Sequence, residues 1–156
     1  MIDDLYRERS EYFEKWDKAY SRTLDEVNQI VDNLDYLKRN EHPVFQDLSI
    51  KFFSIHLANF FYFHIRKKIV DKNLSTQIEK LLLTGFNNES FLPSVKLMDQ
   101  YLSYLEVEEK DFLYFHEEYK TLNTLRNKYA HGATAETNVQ ITFDQFKEYF
   151  EKIKSL

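Results

Sequence analysis

The sequence predicts an all-α fold, an antiparallel helical bundle of five to six helices within a single domain spanning residues 1–156. Three observations predict it. Only two Gly and two Pro occur in 156 residues, where average usage gives roughly eleven and eight; a sandwich or barrel needs turn residues about every 8–12 positions. The 14 Phe, 11 Tyr and one Trp supply a strongly aromatic core and argue against disorder. Apolar residues recur at three-and-four spacing along most of the chain, the period of a helix that buries one face.

The elements follow in order. From Tyr6 to Leu37 there is no Gly or Pro, and Phe13, Trp16, Tyr20, Leu24, Val27, Val31, Leu34 and Leu37 lie on one drifting apolar stripe. Thr23 with Glu26 has the spacing of a capping box, so residues 3–39 form either one helix or two. Asn40-Glu41-His42-Pro43 marks the first turn, because the residue before Pro avoids the α region. Val44 to Val70 is apolar on nearly every side, the pattern of a helix buried in the middle of a bundle. Ser75 or Thr76 caps a short helix to Leu83, stopped by Gly85, and GFNNES is a loop. Leu92 to Leu105 is a further helix with Pro93 in its first turn. Asp111 opens the next helix, and Thr142 opens the last, with Phe143, Phe146, Phe150 and Ile153 on one face.

Composition narrows the function. The net charge of −5 denies the molecule a general attraction for nucleic acid, so any RNA site is a local basic patch. With no Cys, disulfides, thiol catalysis and thiolate metal sites are excluded. The N-terminus MIDDLYRERS begins acidic and lacks the apolar region of a signal peptide. The longest uncharged apolar run, Phe52 to Ile65, has 14 residues and falls short of the ~20 that span a bilayer. A cytoplasmic protein with no membrane association is expected.

The most informative segment is Phe112 to Ala130. On a helical wheel, Phe112, Tyr114, Phe115, Tyr119, Leu122, Leu125 and Tyr129 cover about 160° of one face. Glu118 and Arg126 fall inside that apolar stripe. They are eight residues apart, ~12 Å by helical rise, so Arg126 needs an anion from another helix, another subunit or a ligand. Gly132 is a plausible residue just past the helix end, which puts His131 where the dipole favours an imidazolium that titrates near neutral pH. Five residues separate Arg126 and His131, about 140° on an ideal helix. Convergence on one atom therefore requires a helix break near Tyr129 to Gly132, or a second copy of the chain.

LRNKYAHG, Leu125 to Gly132, resembles the R-x4-6-H signature of HEPN domains in the form with Asn after the Arg and Ala-His-Gly at the end. The long apolar helix Val44 to Val70 and the aromatic helix ITFDQFKEYFEKI extend the likeness over most of the chain. The resemblance implies a metal-independent endoribonuclease, without cofactor, that acts as a homodimer with the two motifs facing each other across the two-fold axis. His131 would be the general acid or base at the ribose 2′-hydroxyl and the departing 5′-oxygen, and Arg126 would bind the scissile phosphate. Asn127 would orient the phosphate or the His. The products would carry 2′,3′-cyclic phosphate and 5′-hydroxyl ends. Proteins of this kind act as toxins or phage-defence effectors on RNA, restrained by an antitoxin or other regulatory protein. A HEPN-type dimer without turnover, binding RNA, a nucleotide or a protein, is the alternative.

Other residues have two readings each. Lys128 and the triplet Arg66, Lys67 and Lys68 are candidate RNA contacts; the triplet also suits the negative end of the helix dipole. His56 and His64 read as hydrogen-bonded core histidines. His116-Glu117-Glu118 lacks the second His at i+4 that a zinc helix requires, so no metal site is expected there. The Phe and Tyr residues at helical spacing are core rather than a platform for bases.

Overall fold

The computed structural model describes residues 2–72, 92–130 and 140–156, and of residues 2–10, 12 and 128–130 the backbone alone. Five helices and no strand occur among the described residues: α1 Ile2–Asn40, α2 Pro43–Asp71, α3 Val95–Tyr104, α4 Glu109–Ala130 and α5 Phe143–Lys154. The all-α expectation holds. The short helix expected from Ser75 or Thr76 to Leu83 and the GFNNES loop lie outside the described residues.

The first 39 helical residues form one helix, not two. Thr23 does not cap: its Oγ1 donates to the carbonyls of Ala19 and Tyr20, at 3.0 and 2.9 Å. A buried threonine satisfied by the preceding turn stays within the helix. The helix stops at Asn40, and His42 caps α2, its Nδ1 accepting from the Val44 amide, with Pro43 in the first position. Gln46 reaches back from α2 and donates to the Lys38 and Glu41 carbonyls. Those are among the orphan acceptors left where α1 ends, so one side chain stitches the two helices at the turn.

Pro93 lies before α3, not in its first turn. Ser94 is the N-cap, and its hydroxyl accepts from the Leu97 amide. The Pro93 carbonyl instead accepts a hydrogen bond from the Tyr119 hydroxyl of α4. At α5, Thr142 and Gln145 form a reciprocal capping box with bonds of 3.1 and 2.9 Å. Replacing Thr142 by Ala is expected to cost about 1 kcal/mol, read from the urea midpoint at unchanged denaturant slope. A change within error would mean that packing of Phe143 and Phe146 holds this end without the cap.

Helix directions follow from which rings and charges meet. Lys67 with Asp17, Tyr20 with His64 and Glu26 with His56 run α1 antiparallel to α2. Phe61 packs on Phe115 and Tyr119, while Lys68 shares a cavity with Asp111 and Phe115, so α4 is also antiparallel to α2. Tyr114 meets Glu148 and Asp111 meets Lys152, which turns α5 against α4 and along α2. The core is aromatic, with Phe60, Phe61, Phe115, Phe146 and Phe150 all buried.

The expectation that α2 is buried on every side is met only in part. Phe60 to Arg66 is buried throughout, whereas Val44, Phe45, Leu48 and Phe52 are exposed. No described helix is long and apolar enough to cross a membrane.

Candidate functional site

The C-terminal turns of α4 are pinned by Leu122 and Leu125, both buried in the core. One position further on, Arg126 is half-buried and Asn127 exposed. Arg126 lies seven residues, about two turns, from Tyr119. Burial pushes the Tyr119 phenol upward, and the Arg126 charge opposes that shift. The helix therefore brings Arg126 and Asn127 together at one end of the bundle. The backbone of Lys128 belongs to α4, its side chain is not described, and His131 and Gly132 lie outside the described residues.

Glu118, one helical turn before Leu122, is 1% exposed, and neither carboxylate oxygen has a hydrogen-bond partner. Burial drives its pKa well above the ordinary carboxylate value. The charge of Glu148 adds to the rise and Lys152 opposes it. The wheel had already placed this residue inside the apolar stripe. Its neighbours Glu148 and Lys152 are on the next helix, α5, 30 and 34 residues further along the chain, beyond a local reading.

The remaining histidines have structural partners. His42 caps α2, His56 faces Glu26 at 3.3 Å, and the buried His64 is 3.3 Å from the Tyr20 hydroxyl. His116 Nδ1 is 2.9 Å from both oxygens of Asp99. The core reading suits His64, while His56 is half-buried at the α1–α2 seam. Among the described residues no group of three or more His, Asp or Glu side chains is placed to hold a metal ion.

A family model described as RiboL-PSP-HEPN matches residues 12–156. The chain belongs to the RiboL-PSP-HEPN family. No curated protein and no solved structure matches the chain. Membership brings a ribonuclease-like function and RNA interaction in general terms, and it fits the helical bundle described above.

Within this HEPN chain, the basic triplet does not form one surface. Arg66 is 3% exposed, so an RNA-contact reading of it is corrected: its guanidinium carbon lies 4.6 Å from the Trp16 ring centroid and 4.5 Å from that of Phe63. A flat, weakly hydrated cation stacks between rings where an ammonium would lose its water. Lys67 sits over the Tyr20 ring between Asp17 and Asp71, each 3.8 Å away. Lys68 lines a cavity of about 270 Å³ with Lys72, Asp111 and Lys152. All three lie at the α2 end that faces the start of α4, away from Arg126.

The signal for Arg66 was available on the wheel, where it falls among Tyr62, Phe63 and Ile69 rather than beside Lys67. Arg66→Ala is expected to cost about 2–4 kcal/mol through lost packing and lost cation–π contact. Arg66→Lys should also destabilise, because a point charge cannot stack. Urea titration of both variants checks this; wild-type stability in Arg66→Lys would show that charge alone matters at this position.

Proposed function

We propose that this HEPN chain is a metal-independent endoribonuclease acting as a homodimer, and that it serves as a toxin or phage-defence effector. The observation that carries the reading is the motif LRNKYAHG at the end of α4 in a chain of the RiboL-PSP-HEPN family. Arg126 and Asn127 are adjacent in the last turns of that helix, on a scaffold fixed by Leu122 and Leu125.

His131 draws the proton from the ribose 2′-hydroxyl, and the resulting oxygen attacks the adjacent phosphorus. The bond from phosphorus to the 5′-oxygen breaks, and that oxygen leaves with a proton supplied by an imidazolium, the partner subunit's own histidine being available in a dimer. Arg126 offers a planar fork to the phosphate oxygens as charge builds on them. Asn127 orients the phosphate or the imidazole. With a net charge of −5, affinity for bulk RNA is modest and salt-sensitive, so the target is chosen by shape or by a particular loop. An antitoxin or other regulatory protein restrains the activity.

The test is RNA cleavage by purified protein in excess EDTA, with the ends of the products identified. Cyclic-phosphate and 5′-hydroxyl ends are expected. Ends of the opposite kind, or cleavage that EDTA abolishes, would overturn the mechanism.

A further inference from the structure

We infer that a cavity of about 380 Å³ near the end of α4 is a guanine subsite, which holds the base of a nucleotide flanking the cut. The reading rests on the nuclease proposed above and names the base its substrate offers. The cavity lies where α1 ends and where α2 and α5 begin, with Lys38, Pro43, Ile50 and Phe143 among its walls. Its place relative to the motif follows from helix periodicity. Phe61 of α2 packs on Phe115 and Tyr119 of α4. Ile50 and Pro43 stand 11 and 18 residues before Phe61, about three and five turns, so they share its face of α2. Arg126 stands 11 and 7 residues after Phe115 and Tyr119, about three and two turns, so it shares the face that α4 turns to α2. Because the two helices are antiparallel, Arg126 comes level with roughly residue 52 of α2, within a turn of Ile50. The cavity thus lies on the α4-facing side of α2, one step beyond Arg126 toward the start of α2.

The lining selects a base rather than a phosphate. Its floor is apolar, with Ile50, Ile141 and Phe143 at 5, 6 and 9% exposed, a surface on which a planar ring sheds water. Asp47 and Asp144 also line it, and two carboxylates repel a phosphate. The helix starts are capped by their own side chains, α2 by His42 and α5 by the Thr142–Gln145 box, which makes them poor anion sites. Hydrogen-bonding capacity then selects among the bases. Gln46 uses its amide N–H groups on the Lys38 and Glu41 carbonyls and offers a ligand its oxygen alone. Asp47 and Asp144 are acceptors only; one oxygen of each faces a lysine, Lys51 at 3.0 Å and Lys38 at 3.5 Å. Such a lining suits a base rich in donors. Guanine carries three N–H bonds on one edge, at N1 and the N2 amino group, where adenine and cytosine carry two and uracil one. Its O6 beside N1–H matches the Lys38–Asp144 pair, a donor next to an acceptor. Single-stranded RNA presents that edge, because its bases are splayed from the stack.

The experiment is cleavage of a randomised single-stranded RNA pool by the full chain, with the cut ends sequenced, alongside saturation-transfer NMR of guanosine and adenosine on the same protein. Wild type, Asp47→Asn and Asp144→Asn are compared, each with a melting curve. Guanine is expected at one fixed position next to the cut, and guanosine is expected to take up saturation more strongly than adenosine. Each substitution should lower the preference for guanine over adenine roughly tenfold or more. The bases compete within one pool, so that ratio does not move when folded protein is merely lost. A wild type that cuts without base preference, or a guanine preference that both variants keep, overturns the inference and leaves the nuclease standing. A wild type that cuts nothing yet binds guanosine, with binding lost in both variants, supports the subsite and sinks the nuclease reading. Neither cleavage nor guanosine binding overturns both.

Discussion

Alanine at Arg126 or at His131 is expected to lower RNA cleavage by roughly 10²–10⁴-fold, each beyond any loss of folded protein. The two losses have different causes. In the mechanism proposed above an imidazole at position 131 carries the proton transfer, so His131→Ala should flatten the pH–rate profile near neutrality as well as lower it. In the same proposed mechanism Arg126 stabilises charge that develops on the phosphate, so its loss should fall mainly on kcat, with a smaller change in KM. Arg126→Lys restores a charge without the fork and should recover only part of the rate. Arg126 is half-buried above the core residues Leu122 and Leu125, so each variant needs a melting curve to show that α4 is intact. Equal cleavage by wild type and both alanine variants would expose a contaminating nuclease. Inactivity of all three on every RNA tried would favour a HEPN-type binding dimer without turnover.

A second large effect is expected in the pH dependence of stability, where His64 and Glu118 act with opposite signs. Burial holds the His64 pKa down to about 4 from 6.5; Lys68 and Lys67 push the same way, while the Leu156 backbone and Asp71 oppose. The unfolded chain binds this proton more readily than the folded one between those values. Stability from His64 is therefore full above pH 6.5 and is lost as pH falls toward 4, a total of roughly 3 kcal/mol. Glu118 is raised above its ordinary 4.5, so the folded chain holds that proton more tightly. Its contribution is full below pH 4.5 and is lost as pH rises, at up to about 1.4 kcal/mol per pH unit.

Urea midpoints from pH 4 to 9 check both. His64→Gln should remove part of the loss on the acid side, and Glu118→Gln part of the loss on the alkaline side. A wild-type alkaline slope preserved in Glu118→Gln would mean that the carboxylate finds solvent or the Lys152 ammonium when it ionises. The buried carboxyl has no hydrogen-bond partner, so Glu118→Gln should also be the more stable protein at pH 8, the reverse of most core substitutions.

The fold was readable because helix signals are local. Scarce Gly and Pro, three-and-four spacing, His42-Pro43 and the Thr142–Gln145 pair each act over a few residues, and the structure sets α2, α3 and α5 within a few residues of where those signals put them. The Thr23–Glu26 spacing misled only as far as leaving two helices open. Its hydroxyl is satisfied within α1, and a capping residue has no orphan amide to serve in mid-helix.

The candidate site was likewise half local. Arg126 and Asn127 are neighbours on one helix, and the motif that contains them is contiguous, so eight residues suffice to suggest both the chemistry and the family. Partners were a different matter. Whether Arg66 turned outward with Lys67 or inward to Trp16 depended on α1 lying across α2. Glu118 met Glu148 and Lys152 only because α5 returns against α4. The apolar composition of α2 predicted burial on nearly every side, yet its neighbours leave Val44, Phe45, Leu48 and Phe52 exposed in the first half while burying Ile50, Ser54 and Leu57 there.

Residue types and their spacing thus decided the helical class, the turns, the motif and the helix that carries it, since these depend on interactions within a turn or two. Tertiary structure alone decided which charges are buried, which histidine is held neutral and which residues of α2 stay exposed. Those outcomes turn on the dielectric, the ring or the counter-charge that a distant segment brings, and no local pattern encodes that arrival.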